Sequence, residues 1–275
     1  MASLGEVAEL RRFPVKSMLG ELCGSLAIDA TGVAGDRRCA LVDTASGKLA
    51  SAKRPTPWRA LLTMSARLID DRVEITLADG SCITSDAADA DAQLSAAIGR
   101  PVTLINARER AFAIDRADPD ELAERGEACD GDYAQITIGQ ALPGGGFADF
   151  APIHLLSTAS LARVAEVAGP AEAARFRANI LVETPNASAF TENDWVGRRI
   201  AIGGALVLRV IEPTPRCAIP TLAHGALLPN PRLTQLIGTV NKAMMTGMPP
   251  LACLGAYAQI EHAGTIAVGD SARLL

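Results

Sequence analysis

Arg72-Val73-Glu74-Ile75-Thr76-Leu77-Ala78-Asp79-Gly80-Ser81-Cys82-Ile83-Thr84 contains two runs that alternate apolar with polar side chains, parted by Asp-Gly. A period of two sets Val73, Ile75 and Leu77 on one face and Glu74 and Thr76 on the other, the pattern of a half-buried strand. Asp79-Gly80 between two such runs marks a tight hairpin. Outward from this pair, residues 1–100 break into further short strand candidates at 7–15, 21–29, 38–43, 48–51 and 60–69, with turn chemistry at Thr31-Gly32 and Ser46-Gly47. The hairpin's own strands fall at 72–77 and 81–84, and the whole reads as a meander closing into a barrel or sandwich. A helix is expected over 89–98, stopped by Gly99 and Pro101. Residues 108–131, rich in Asp, Glu, Arg and Ala, read as a partly helical connector.

The second half opens with Gly144-Gly145-Gly146, which lacks the GxGxxG spacing of a dinucleotide cradle and reads as a flexible loop. A short strand at 152–156 leads into a helix capped by Ser157 or Thr158. Leu161, Val164, Ala165 and Ala168 form its apolar stripe, and Gly169-Pro170 end it. Further strands are expected at 179–183, 199–202, 205–211, 252–261 and 265–268, with a last one ending at Leu275 and a helix over 231–242. The expected architecture is therefore mainly β, of α+β type with a few peripheral helices, split into a smaller N-terminal β-barrel-like domain over 1–107 and a second domain over 108–275.

A chain of 275 residues can bury a core without covalent staples. Its 49% hydrophobic and 21% charged content excludes a disordered chain, and a net charge of -5 argues against a sequence-independent grip on nucleic acid. No apolar run approaches the roughly 18 residues of a membrane span. Glu6 and Glu9 interrupt the N-terminal apolar residues, unlike a signal peptide, so cytoplasm and reduced thiols are expected. The six cysteines, at 23, 39, 82, 129, 217 and 253, form no CxxC unit, and His154, His224 and His262 form no HxxxH pair. That spacing argues against a zinc ribbon, an iron–sulfur centre or a zinc hydrolase.

Chemistry concentrates at Glu212-Pro213-Thr214-Pro215-Arg216-Cys217-Ala218-Ile219-Pro220. Three prolines stiffen the backbone, which is expected to be a loop, around one cysteine beside a permanent cation. A thiolate suits a soft or high-valent metal or the carriage of sulfur, while a buried cysteine also serves as a small core hydrophobe. Other cations stand where strands end: Lys16-Ser17, Asp36-Arg37, and Arg177 with Asn179. Converging with Arg216, these loops would form a receptor for a phosphorylated, heteroatom-rich ligand, because arginine forks match phosphate oxygens and asparagine and serine read ring nitrogens and carbonyls. Taken singly, each cation also fits a solvated surface charge, and Tyr257 fits a core ring whose hydroxyl reaches the surface.

Together these segments resemble the MOSC family, named for the C-terminal domain of molybdenum cofactor sulfurases, with its usual N-terminal β-barrel domain. The resemblance is carried by Phe13-Pro14-Val15-Lys16-Ser17, Gly32 through Asp36-Arg37, Ala52-Lys53-Arg54-Pro55, His154-Leu155-Leu156-Ser157-Thr158-Ala159-Ser160-Leu161, Phe176-Arg177-Ala178-Asn179, Trp195-Val196-Gly197, Thr214-Pro215-Arg216-Cys217, Leu254-Gly255-Ala256-Tyr257 and Gly264 to Asp270. It implies a MOSC-type β-barrel in which Cys217 is the protein ligand to molybdenum. Lys16, Ser17, Arg37, Arg177, Asn179, Arg216 and Tyr257 would hold the molybdenum-pyranopterin cofactor. Ala178 departs from the proline of many relatives.

No pyridoxal-phosphate lysine region and no plant-type iron–sulfur cysteine cluster is seen. Electrons are therefore expected from a separate ferredoxin-, flavin- or cytochrome-type protein. The implied activity, similar to the amidoxime-reducing branch, is two-electron reduction of N-hydroxylated or other N–O or S–O small molecules by oxo transfer. The rival reading is a pyridoxal phosphate-free sulfur carrier or cofactor-handling protein using a Cys217 persulfide. A third is a cofactor-free interaction module.

Overall fold

The computed structural model of the chain describes residues 2–106, 108, 111–126 and 133–275. The protein is mainly β, and its centre is a closed barrel of seven strands. Around the ring run Ile153–Ser157, Ile180–Glu183, Ala2–Arg12, Ser271–Leu274, Arg199–Ile202, Leu206–Pro215 and Leu251–His262, and the last pairs back onto the first. Every neighbouring pair is antiparallel except Ile153–Ser157 with Ile180–Glu183, which run parallel. Parallel neighbours need a crossover. The helix Thr158–Ala168 supplies it, capped as the sequence predicts by Ser157, whose hydroxyl accepts from Ser160 N at 3.2 Å.

The N-terminal strand is thus a stave of the barrel built by the C-terminal half. Strict alternation would send Val7 and Leu10 to opposite faces, but the pairing register shifts between Val7 and Glu9, and both side chains are buried. A bulge inserts the extra residue that permits this. The barrel interior packs Val7 and Leu10 with Ile153, Leu155, Ile180, Val182, Ile200, Leu208 and Trp195.

Leu206–Pro215 runs on through Pro213 and Pro215, where a stiff loop after residue 211 was expected. Its partner Arg199–Ile202 pairs with Leu206 to Arg209. Beyond that pairing the strand has Leu251–His262 as its ladder neighbour, and register shifts flank the prolines. A proline on such an unpaired, bulged flank removes no ladder donor.

The N-terminal half is a set of small sheets. The hairpin forms as read: Ser65–Ile69, Arg72–Thr76 and Cys82–Thr84 make a three-stranded meander, and Asp79 Oδ1 accepts from Ser81 N at 2.9 Å beside Gly80 at φ +86. Ala40–Asp43 pairs with Val102–Ile105. Residues 48–51 contribute one bridge, Val42 to Leu49, where a strand was expected. The start of the 60–69 run is a tight helical turn, Arg59–Thr63. These pieces surround a second core of Val15, Met18, Leu41, Trp58, Leu61, Ile75 and Leu94, the last from the helix Ala90–Ile98.

The expected connector holds a strand, Ala113–Ala117, and a helix, Pro119–Arg125. Its residues 109, 110 and 127–131, Cys129 among them, lie outside the described residues, as does position 107. The strand Tyr133–Thr137, which the sequence reading did not anticipate, pairs with Ala113–Ala117. No helix among the described residues is long and apolar enough to cross a membrane.

Candidate functional site

One end of the barrel gathers the strand termini that carry the chemistry. Ala2–Arg12 finishes there, and Ile153–Ser157 and Ile180–Glu183 begin there. Leu206–Pro215, which runs parallel to Ile153–Ser157 across Leu251–His262, brings Thr214, Arg216 and Cys217 to the same cleft from its own far end. The N-terminal loops close over these residues and bound with them a cleft of about 700 Å³ that opens to solvent. Cys217, Lys16, Ser17, Arg37, Arg177, Asn179, Arg216 and Tyr257, all eight residues singled out from the sequence, line it. So do Ser51, Lys53, Asp149, His154 and Thr214.

Cys217 lies two residues beyond its strand, ahead of the short turn Ile219–Thr221. It packs in an apolar cluster with Ala52 and Leu62 from the N-terminal half and Ile219 and Leu222 from its own. Its carbonyl accepts from Thr234 Oγ1 at 3.0 Å, which ties the turn to the helix Leu233–Val240. The thiol sits at the wall with 9% of the residue exposed, reachable from the cleft and shielded from bulk water. Among the described residues no group of three or more His, Cys, Asp or Glu side chains forms a metal-binding cluster. Cys23, Cys39, Cys82, Cys217 and Cys253 are free thiols.

The cations are fixed by backbone carbonyls. Arg37 donates from Nη2 to Arg177 O at 3.0 Å and from Nη1 to Asp36 and to Asn179 Oδ1. Arg177 donates from Nη1 to Met18 O, and Arg216 reaches Phe176 O at 3.1 Å and Leu254 O at 3.4 Å. The guanidiniums of Arg37 and Arg177 lie 4.7 and 4.3 Å from the centroid of one ring, Phe13. Cation–π contact of this kind orients a guanidinium while leaving its other edges free.

Asn179 is a latch. Its Oδ1 accepts from His154 N at 3.2 Å as well as from Arg37, and its Nδ2 donates to Arg11 O at 3.3 Å. Ser17 Oγ likewise accepts from Ala52 N at 3.1 Å.

Asp149 bridges two lysines. Its Oδ1 accepts from Lys16 Nζ at 2.6 Å and its Oδ2 lies 3.0 Å from Lys53 Nζ. Lys16 also donates to Phe147 O at 2.9 Å. Burial acts to raise the Asp149 pKa, but Lys16 and Lys53 outweigh it and hold the carboxyl well below its usual range. Burial, Lys53 and Arg37 lower Lys16 to about 8 against the opposing pull of Asp149. Lys53 shifts the other way: burial opposes its charge, and Asp149, Cys217 and Tyr257 together raise it.

Burial and Arg37 bring Arg177 down to about 9, and burial lowers Arg216. His154 is pushed to about 3 by burial, Arg216 and Arg37, so its imidazole is neutral. Its Nε2 lies 3.4 Å from Leu254 O, and its ring is 5.9 Å from that of Tyr257. Burial and Asp149 raise Tyr257, keeping its hydroxyl protonated.

Three polar atoms on this lining are buried and have no hydrogen-bond partner: Arg177 Nη2, Arg216 Nε and Thr214 Oγ1. Buried polar groups are ordinarily satisfied, so such atoms in a cleft mark places for a guest's acceptors. Lys53 and His154 fall in segments that carried the sequence resemblance without being singled out for the site. Asp149 follows the triple glycine read as a flexible loop.

Residues 4–115 match the MOSC N-terminal beta barrel domain, and residues 145–273 match the MOSC domain. Among solved structures, YuaD from Bacillus subtilis is 11% identical, with a TM-score of 0.42 over 98% of this chain and 94% of that one. YiiM from Geobacillus stearothermophilus is 18% identical, with a TM-score of 0.35 over 52% of this chain and 67% of that one. No curated protein matches the sequence. The two matched domains follow one another along nearly the whole chain, which belongs to the MOSC family, whose domains are associated with molybdenum cofactor binding.

Proposed function

We propose that this chain holds a molybdenum-pyranopterin cofactor in the cleft, with Cys217 as the protein ligand to the metal, and acts as a reductase of N-hydroxylated small molecules. The observation that carries the reading is the convergence of Cys217, five cations from both halves of the chain and the unpartnered Arg177 Nη2 and Arg216 Nε on one cavity.

The lining fits the group. Lys16, Lys53, Arg37, Arg177 and Arg216 face one carboxylate, Asp149. Burial works against the charge of Lys16, Arg177 and Arg216, so an anion in the cleft offsets a strain already present. Arginine forks and lysine ammoniums suit the phosphate, and Thr214, Ser17 and Tyr257 offer hydroxyls to a heteroatom-rich ring system. A single protein thiolate leaves the remaining metal positions to the cofactor and to substrate.

When bound, the group supplies two-electron redox chemistry with transfer of oxygen from an N–O or S–O bond. For an amidoxime the balance is R–C(NH2)=N–OH plus two electrons and two protons giving R–C(NH2)=NH plus water. A separate ferredoxin-, flavin- or cytochrome-type protein delivers the electrons. Neutral His154 and protonated Tyr257 keep the wall beside Arg216 free of added charge, and the buried Phe176 ring packs against the Arg216 guanidinium, its centroid 5.4 Å away.

Expression in a host that makes the cofactor provides the test. Wild type should retain molybdenum and pterin, and Cys217→Ser should lose metal by roughly tenfold or more with its unfolding midpoint little changed. Loaded wild type should reduce benzamidoxime with a reduced viologen. Equal molybdenum in both proteins removes Cys217 as ligand, and loaded protein that turns over no N–O or S–O compound removes the reductase.

A further inference from the structure

This inference rests on the reductase reading and concerns which substrates the cleft selects. The lining is dominated by donors: the ammoniums of Lys16 and Lys53, the guanidiniums of Arg37, Arg177 and Arg216, and the Tyr257 hydroxyl. Among the described lining residues Asp149 carries the one carboxylate. Its two oxygens are pinned by Lys16 at 2.6 Å and Lys53 at 3.0 Å, so its place is fixed before any guest arrives.

An ionised carboxylate has about four lone-pair positions. The two lysines use one on each oxygen, and about a third of the side chain, 34%, remains open. An anionic acceptor edge therefore stands ready in a donor-lined cavity. Groups that present N–H bonds in a fork pair with both oxygens of a carboxylate, as a guanidinium does.

We propose that Asp149 is a specificity-determining residue that accepts the N–H donors of N-hydroxylated amidines, favouring them over sulfoxides and N-oxides, which have none. Charge sharpens the choice. With Lys16 and Lys53 the trio is net positive, so it takes a neutral N–H donor and disfavours a cation. An amidoxime is neutral near pH 7, whereas the amidine formed from it is strongly basic and becomes a cation. The same lining that admits the substrate therefore expels the product.

The test measures binding apart from turnover. Benzamidoxime is titrated calorimetrically into oxidised, cofactor-loaded wild type and Asp149→Asn with no reductant present, and N,N-dimethylbenzamidoxime, which lacks the amino N–H bonds, is titrated alongside. Losing a hydrogen bond to a charged acceptor should weaken benzamidoxime binding to Asp149→Asn roughly tenfold or more, with partial recovery in Asp149→Glu. Wild type should prefer benzamidoxime to its dimethyl counterpart, and Asp149→Asn should lose that preference.

In viologen-driven turnover, KM should rise further for benzamidoxime than for dimethyl sulfoxide, with kcat moving less than KM. Equal losses on both compounds make Asp149 a structural ion-pair partner and overturn the proposal. A wild type blind to the amino N–H bonds overturns it as well, even where the variant fails to load cofactor. Protein that binds benzamidoxime through Asp149 yet reduces nothing sinks the reductase and upholds the recognition.

Discussion

Ser17, Arg37 and Arg177 share backbone angles that side chains rarely adopt, with φ of +65, +44 and +57. Each such residue carries a cost of order 1–3 kcal/mol, which persists where the surroundings hold it in place. Here all three line the cleft, and the turns aim their side chains inward from loops that would otherwise display them to water. This is why single residues were only partly legible in the sequence. A cation at a strand end reads the same whether it turns in or out, and the family resemblance, more than spacing, separated Arg37 and Arg177 from the other basic residues. Asp149 had no such support, because its meaning lies in Lys16 and Lys53, far away in the chain. Lys16 makes a prediction at this scale. In the free site it loses its proton as pH passes about 8, while an anion in the cleft favours the ammonium, so anion binding is coupled to proton uptake above that pH. Affinity for sulfate, a probe that does not titrate here, should be flat from pH 6.5 to 7.5 and fall by up to about tenfold per pH unit between 8 and 9. Calorimetry on wild type and Lys16→Met checks this, and a variant that retains the bend assigns it to another group.

Secondary structure was read best where periodicity decides it. The hairpin at 72–84, the capped helix after Ser157 and the strands at 180–183 and 199–202 follow from alternation, capping and stops that act locally. The proline-rich end of Leu206–Pro215 did not, because proline excludes a strand only where its missing N–H was needed, and that depends on which neighbours are present. Leu251–His262 shows a similar dependence at Gly255. There φ is +82, and a Cβ would stand 2.4 Å from His154 Nε2 and 2.5 Å from Leu155 O. The strand can thus pass Ile153–Ser157 closely enough to bring Leu254 O to both His154 and Arg216. Gly255→Ala should destabilise the protein by about 2 kcal/mol or more, since backbone strain and a backbone clash add. Urea unfolding measures it. A change within about 0.5 kcal/mol, the range of an ordinary surface substitution, would show that the two strands part at little cost.

The site belongs to neither half of the molecule alone. The barrel needs Ala2–Arg12, Arg177 reaches back to Met18, Lys16 reaches forward to Phe147, and Cys217 packs on Ala52 and Leu62. Composition and local pattern gave the β character of both halves, but nothing local encodes how they meet. That joint is also where ionisable groups are buried, so whole-molecule stability should respond to acid. Burial, Arg216 and Arg37 hold His154 neutral down to about 3, and burial holds His224 neutral down to about 4 with help from Arg177 and Arg175. In the unfolded chain both imidazoles take up protons near their ordinary value of about 6.5. The unfolded state therefore binds more protons than the folded one between about pH 6.5 and 4, and stability falls as pH drops through that window. Two groups titrating in the unfolded state alone give a slope of about 2.7 kcal/mol per pH unit near pH 5. Urea unfolding at pH 7, 6 and 5 should show this loss in wild type, and His154→Gln with His224→Gln should flatten it even if the double variant is less stable at pH 7. An unchanged slope would mean that the two histidines titrate alike in both states, and that the seam admits the water and charge its geometry excludes.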